Sequence, residues 1–261
     1  MNVSGAKVLI TGANGGIGTA LAKAFAAQGA QLLLSGRREA ELKALCEQTS
    51  GQPILADLTR RDEVASLIER AGNVDILIAN AALPASGLLA HFTATHVDRA
   101  LEVNLRVPVV MAHALAPGMV ARGSGSLVFI SSLAGVAASG GSSLYNATKF
   151  GLRGFALALR EDLHGTGVGV SVILPGFISD AGMFADSGAK TPPGFGTRTP
   201  EQVATAVVKA VRKDRGEVTV APPFDRLGAR IGGLAPALGA RIQRLAPDVT
   251  SQIAEGQKDK R

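Results

Sequence analysis

This chain is poor in several things, and each scarcity narrows what it can be. It has one cysteine, Cys46, among 261 residues, so no internal disulfide can form. The thiol reads as buried and idle in a reducing compartment. There is no tryptophan and a single tyrosine, and aromatics make up only 4%. The core must therefore be built from Ala, Val, Leu and Ile, which favours close packing of helices on a sheet. Charged residues reach only 18% against 46% hydrophobic, a balance that excludes a disordered chain. No basic run carries interleaved aromatics, so the expectation is no nucleic-acid partner. Residues 1–7 lack the basic start and apolar core of a leader, so the expected location is the cytoplasm. The uncharged stretch 123–148 is long enough to resemble a membrane span, but Ser and Gly interrupt it throughout. It reads as a buried strand followed by an active-site loop.

What is present is a regular alternation. Apolar runs near residues 7–11, 31–35, 53–56, 74–80, 126–131, 168–174 and 217–221 read as strands. Helical spacing fills most of the gaps, including 17–28, 38–49, 60–71, a long helix ending near 121, 145–164 and 200–214. Strands such as Ile76-Leu77-Ile78-Ala79 are apolar on both faces, which requires a parallel sheet covered on both sides. The predicted fold is a doubly wound α/β (Rossmann) parallel sheet of about seven strands with helices on both faces, plus a C-terminal helical extension. The division runs 1–222 for the α/β domain and 223–261 for the basic helical extension.

The first strand runs into Thr11-Gly-Ala-Asn-Gly-Gly-Ile-Gly18, four glycines in eight residues. The spacing Gly12-x3-Gly16-x-Gly18, after a strand and opening a helix, suits a dinucleotide pyrophosphate on a helix N-terminus. Gly12 would permit the turn, Gly16 the approach of the phosphates, and Gly18 the close seating of the helix on the sheet. Asn14 and Ile17 belong to the same cradle. The end of the second strand, Ser35-Gly36-Arg37-Arg38, carries no acid for a ribose 2′-hydroxyl but two guanidiniums suited to a 2′-phosphate. The expected cofactor is NADP(H), with NAD(H) second.

Tyr145 is followed by Lys149 one helical turn on, on the same face. A free tyrosine has a pKa of about 10 and is a poor proton carrier at neutral pH. A neighbouring ammonium would lower it and let it exchange a proton with a carbonyl oxygen.

With these ordered motifs in hand, the chain resembles the short-chain dehydrogenases/reductases in their compact single-domain branch. The resemblance covers roughly residues 5–221. It rests on Thr11-Gly12-x3-Gly16-x-Gly18, Asp57-Leu58-Thr59, Asn80-Ala81-Ala82, Asn104, Ser131-Ser132, Tyr145-x3-Lys149 and Pro175-Gly176. It implies a hydride-transferring oxidoreductase. Ser132, thirteen residues before Tyr145, would polarise the substrate oxygen, Tyr145 act as acid/base, Lys149 tune it and bond the nicotinamide ribose, and Asn104 hold a relay water. Asp57 and Leu58 would contact adenine, and Asn80, Ala81, Pro175, Gly176 and Ile178 would line the cofactor. The alternative for Asp57 or Thr59 is an N-cap of the following helix. Where many members carry a threonine after the Pro-Gly pair, this chain has Asp180, with Ser179 as the neighbouring hydroxyl.

The segment from Asp180 to Thr199 corresponds to the family's substrate lid. It carries Met183, Phe184, Pro192-Pro193 and Phe195 and few charges, which implies a small lipophilic carbonyl or alcohol substrate. Two alternatives are epimerase-type chemistry on the same residues and a non-catalytic dinucleotide-binding protein at a membrane surface. A homo-oligomer, dimer or tetramer, is implied by the family.

The last forty residues are unusual for this branch. Leu227, Ile231, Leu234, Leu238, Ile242 and Leu245 form a stripe at three- and four-residue spacing, flanked by Arg226, Arg230, Arg241 and Arg244. Gly232-Gly233 and Pro236 are expected to divide it into two short helices, and residues 255–261 to form an unstructured tail. Three readings stay open for the extension: a cap over the substrate site or a partner subunit, a basic peripheral anchor on an anionic (inner) membrane surface, or a disordered tail.

Overall fold

The computed structural model describes residues 1–189, 191, 194–244 and 249–257. Seven strands form one parallel sheet: β1 (Lys7–Thr11), β2 (Gln31–Gly36), β3 (Gln52–Leu55), β4 (Ile76–Ala79), β5 (Gly125–Ile130), β6 (Val168–Pro175) and β7 (Glu217–Val220). Their order is β3-β2-β1-β4-β5-β6-β7. The chain thus winds outward from β1 in one direction and then restarts at β4 in the other. The crevice between the C-terminal ends of β1 and β4 is the switch point at which such sheets bind ligands. The pairing Ile10↔Ile78 sets the glycine loop after β1 beside Asn80-Ala81 after β4.

Ten helices cover the sheet or follow it among the described residues. They are α1 (Gly16–Ala26), α2 (Glu39–Thr49), α3 (Arg61–Ala71), α4 (Ala94–Leu101), α5 (Val107–Ala121), α6 (Ser143–Asp162), α7 (Pro200–Lys213), α8 (Pro223–Leu234), α9 (Pro236–Arg244) and α10 (Val249–Glu255). Strand side chains alternate between faces. Leu9, Leu77, Phe129 and Val172 point into one core with α3, α5 and α6. Val8, Ile10, Ile78, Val128 and Ile173 point into the other, with Leu21 and Phe25 of α1, Leu42 of α2, and Val203 and Val207 of α7. The two buried faces explain why the strands are apolar throughout. Cys46 lies buried on α2, where burial pushes its thiol up.

The stretch 123–148 is β5, a short 3-10 turn (Leu133–Gly135) and the start of α6, as expected of a strand and site loop. Two expectations for the C-terminus need correction. Gly232-Gly233 does not break the helix: α8 runs through both to Leu234, and the break falls at Ala235-Pro236. Packing decides this, since both glycines face another part of the chain closely. Residues 255–257 are also not a loose tail. α10 ends at Glu255, and Gln257 is 2% exposed and donates its side-chain amide to the Met183 carbonyl. Pro192, Pro193, Leu245 and residues 258–261 lie outside the described residues.

Candidate active site

The glycine loop is shaped by its own neighbours. Gly12 adopts φ +62°, and a Cβ there would lie 2.8 Å from Ala81 Cα, so the loops after β1 and β4 can approach this closely only across a glycine. Gly18 serves a different end from the one expected. A Cβ on it would strike the Gly12 carbonyl and come 2.8 Å from Ala13 Cα, so its bareness lets α1 close on the loop itself rather than on the sheet. Gly16 faces the lid: a Cβ would lie 2.6 Å from Ala181 Cβ and 2.8 Å from the Gly182 nitrogen. The α1 N-terminus has no side-chain cap and no acid in its first turn. It therefore offers N–H groups and a positive dipole end to an anion. That donor set and the bare glycine backbone fit a dinucleotide pyrophosphate.

Asn80 holds this cradle closed. Its backbone N–H and that of Ala81 both donate to Thr11 Oγ1 at 3.1 Å, while its side-chain amide donates to the Thr11 and Gly12 carbonyls at 3.0 and 3.1 Å. Thr11 is 2% exposed, and its hydroxyl is the hub that ties β1 to β4.

The two arginines after β2 play different parts. Arg38 donates to the Asn14 carbonyl at 2.6 Å and pairs with Glu41 at 3.1 Å, while Asn14 donates back to the Arg38 carbonyl at 3.3 Å. It braces the glycine loop and is not an open fork. Arg37 is exposed, and its charge is felt at Asp57. Burial alone would raise the Asp57 carboxyl. Bonds from the Thr59 N–H and hydroxyl at 3.0 and 2.9 Å, with the Arg37 and Arg99 charges, hold it below its ordinary value. Neither Asp57 nor Thr59 caps α3, whose N-cap position is Arg60. Glu63 instead reaches back to the Asp57 N–H at 2.7 Å. Leu58 is buried beside them.

The catalytic candidates converge where β5 ends and α6 begins. Ser132 accepts from the Ala134 N–H at 3.1 Å and reaches the Pro175 carbonyl at 3.5 Å, and its hydroxyl lies near enough to the half-buried Tyr145 to pull the phenol pKa down. Lys149, 2% exposed, donates Nζ to the Ile130 carbonyl at 3.0 Å and stands 5.7 Å from the Tyr145 ring centroid. The proton balance differs from the sequence expectation. Burial raises the Tyr145 pKa, opposed by the Ser132 hydrogen bond, and burial lowers that of Lys149 to about 8. Ser131 donates to the Lys149 carbonyl at 2.9 Å and so supports α6 rather than the reaction centre.

Asn104 sits in a five-residue π-helical turn, Glu102–Arg106, between α4 and α5. Such turns leave the regular ladder locally broken and recur at functional sites. Both ends of its amide are engaged: Nδ2 donates to the Leu83 carbonyl at 2.9 Å, and Oδ1 accepts from the Leu83 N–H at 2.7 Å. Its side chain thus pins the loop after β4. One residue escaped the sequence reading. Asn146 donates to the Ala134 and Ala137 carbonyls at 2.7 and 3.2 Å and accepts from the Ser139 N–H at 3.2 Å, which ties the loop after Ser132 to α6. Its position next to Tyr145 was the available signal.

Gly176 packs close to Ala221, where a Cβ would come within 3.0 Å, and Ile178 is buried and bridged to Arg198. Asp180 adopts φ +67°, and Ser179 donates its hydroxyl to the Asp180 carboxylate at 2.8 Å. Aromatic rings before, within and after the lid segment form a chain: Phe177 to Phe184 at 4.7 Å, Phe177 to Phe195 at 6.3 Å, and Phe195 to Phe224 of α8 at 5.6 Å.

A seven-stranded doubly wound sheet with a glycine cradle at its switch point and a Ser-Tyr-Lys cluster beside it defines a nucleotide-dependent oxidoreductase of Rossmann type. Residues 6–192 match the family described as short chain dehydrogenase. The ketoacyl reductase HetN of Nostoc sp. is 34% identical over 227 residues, which cover 84% of this chain and 79% of that protein. The NADP-dependent 3-hydroxy acid dehydrogenase YdfG of Shigella flexneri is 35% identical over 77% of this chain and 86% of its own length. Among solved structures, a short-chain dehydrogenase from Sphingobium yanoikuyae in complex with NADPH superposes with a TM-score of 0.76 at 29% identity, covering 88% of this chain and 95% of that one. The chain belongs to the short-chain dehydrogenase/reductase family and is an oxidoreductase.

Proposed function

We propose that the protein is an NADP(H)-dependent reductase of lipophilic ketones, or in reverse a dehydrogenase of the matching secondary alcohols. The observation that carries this reading is the Ser132–Tyr145 pair with Lys149 Nζ 5.7 Å from the Tyr145 ring centroid, beside the glycine cradle at the switch point of the sheet. When bound, the nicotinamide supplies or accepts the hydride. The protein's own residues manage the proton and the oxygen. Ser132 donates toward the substrate oxygen and orients Tyr145. Tyr145, protonated at neutral pH, is ready to give its hydroxyl proton to a carbonyl oxygen as negative charge develops there. Lys149, whose pKa of about 8 keeps it mostly protonated at neutral pH yet ready to release the proton, replenishes that of Tyr145 and bonds the cofactor ribose. Asn104 holds the loop after β4 in place.

Arg37 is the ligand for a 2′-phosphate, since Arg38 is committed to Asn14 and Glu41. The NADP-linked relative and the NADPH-bound neighbour support the same choice. The rings of Phe177, Phe184, Phe195 and Phe224 support an apolar substrate.

The test is a fluorescence titration with NADPH and NADH, followed by a carbonyl panel. NADPH should bind more tightly, and Arg37→Ala should lose about tenfold or more of that preference. Tyr145→Phe should bind NADPH normally and lose about 100-fold or more in kcat. Equal binding of the two nucleotides, or reaction only with small polar carbonyls, would overturn the corresponding part of the reading.

A further inference from the structure

The C-terminal extension carries its large apolar side chains on the outside. α8 meets the body of the protein through glycine. A Cβ on Gly233 would lie 2.6 Å from the Val136 carbonyl oxygen, and one on Gly232 would lie 3.1 Å from Ala137 Cβ. α9 folds against α8 in the same manner, with a Cβ on Gly239 falling 2.9 Å from Gly232 Cα. A surface helix of a soluble domain ordinarily turns its large apolar residues toward the core. Here they face out: Phe224 is 60% exposed, Leu227 58%, Ile231 37%, Leu234 89% and Leu238 49%. Arg226 and Arg230 on α8, and Arg241 and Arg244 on α9, border this surface. All four are exposed and none forms an ion pair among the described residues, although Arg226 also donates Nε to the Ala221 carbonyl at 2.6 Å. Asp225, the single acid between residues 223 and 244, is 2% exposed, so the exposed charges of this stretch are all cationic.

We propose that this face docks on an anionic lipid bilayer. Its apolar stripe would lie at the boundary of headgroups and acyl chains, with the guanidiniums of Arg230, Arg241 and Arg244 on lipid phosphates. Charge selects a bilayer over a second copy of the chain. Between residues 223 and 244 no exposed acid is present to pair with these arginines, so a two-fold contact of this face with itself would bury like charges together. The docked surface adjoins the substrate side of the protein. Phe224 packs on Phe195 of the lid at 5.6 Å, and Val136-Ala137 lies on the loop between Ser132 and Tyr145.

The experiment is flotation of the full-length protein with vesicles of phosphatidylcholine alone and of phosphatidylcholine mixed with phosphatidylglycerol. The protein should float with the anionic vesicles, stay behind with the neutral ones, and be released by high salt. The double variant L227E/L234E should lose about tenfold or more of the vesicle binding while keeping NADPH affinity and thermal unfolding unchanged, which excludes misfolding. Wild-type protein that never floats, or binding indifferent to L227E/L234E, overturns the proposal. A dimer in light scattering that L227E/L234E dissociates, with no vesicle binding, assigns the face to a second copy and also overturns it. None of these outcomes touches the reading of the reductase site.

Discussion

Lys149 has been taken out of water with one backbone oxygen as its described partner, and burial brings its pKa to about 8. The unfolded chain holds that proton up to about pH 10.4. Between about 8 and that value the unfolded state binds more protons, so this residue makes stability rise with pH, and it costs stability below 8. Lys149→Met should therefore unfold at a higher denaturant concentration than wild type at pH 7. The gap should narrow by pH 10, and turnover should be lost throughout. A gap that stays constant with pH would refute the burial argument. Asp225 shows the opposite sign. Burial raises its carboxyl pKa, against the pull of the Gly196 backbone and the Arg198 charge, and neither oxygen has a well-formed hydrogen bond. The folded state then holds its proton longer than the unfolded one, and stability falls as pH rises through the ordinary carboxylate range. Asp225→Asn should stabilise the protein at pH 7 by about 1 kcal/mol and do little at pH 3, read from urea unfolding at both.

Among the elements, the glycine loop and the lid share a boundary at Gly16. Ala181 and Gly182 rest where any side chain at Gly16 would stand. Gly16→Ala should push the lid outward and weaken NADPH binding about tenfold or more, while the sheet stays intact. Hydrogen exchange at residues 181–187 should rise in this variant, and unaltered exchange would separate the lid from the cradle. The far side of the lid is held by the end of α10, where Gly256 packs against Ser187 and Gln257 bonds the Met183 carbonyl. The π-turn at Asn104 belongs to the same scale. It ends α4 and restarts α5, and the amide locked on Leu83 keeps the loop after β4 in position.

At the scale of the whole molecule, the sheet and its two helix layers carry the core, and the extension touches that body near the site. Removing residues 223–261 should leave a folded sheet with cooperative unfolding. It should also free Val136 and Ala137, and with them the loop joining Ser132 to Tyr145, so that kcat falls more than NADPH affinity. Equal loss of both would mean that the extension supports the core itself. The order of strands and helices, the glycine cradle and the Tyr-Lys spacing were legible in the sequence. They follow from local rules: apolar runs buried on both faces, glycine where a side chain cannot fit, and residues one helical turn apart on one face. Other features were decided only when distant segments met. Desolvation, which depends on everything packed around Tyr145, raised its pKa where its neighbour in sequence pointed the other way. Arg38 was drawn into a brace with Asn14, twenty-four residues away, which left Arg37 open to solvent. Gly232 and Gly233 stayed helical because the backbone of Val136 and the side chain of Ala137 fill the space that side chains would need. Local patterns select elements, whereas burial, charge and close approach depend on which surfaces tertiary packing brings together.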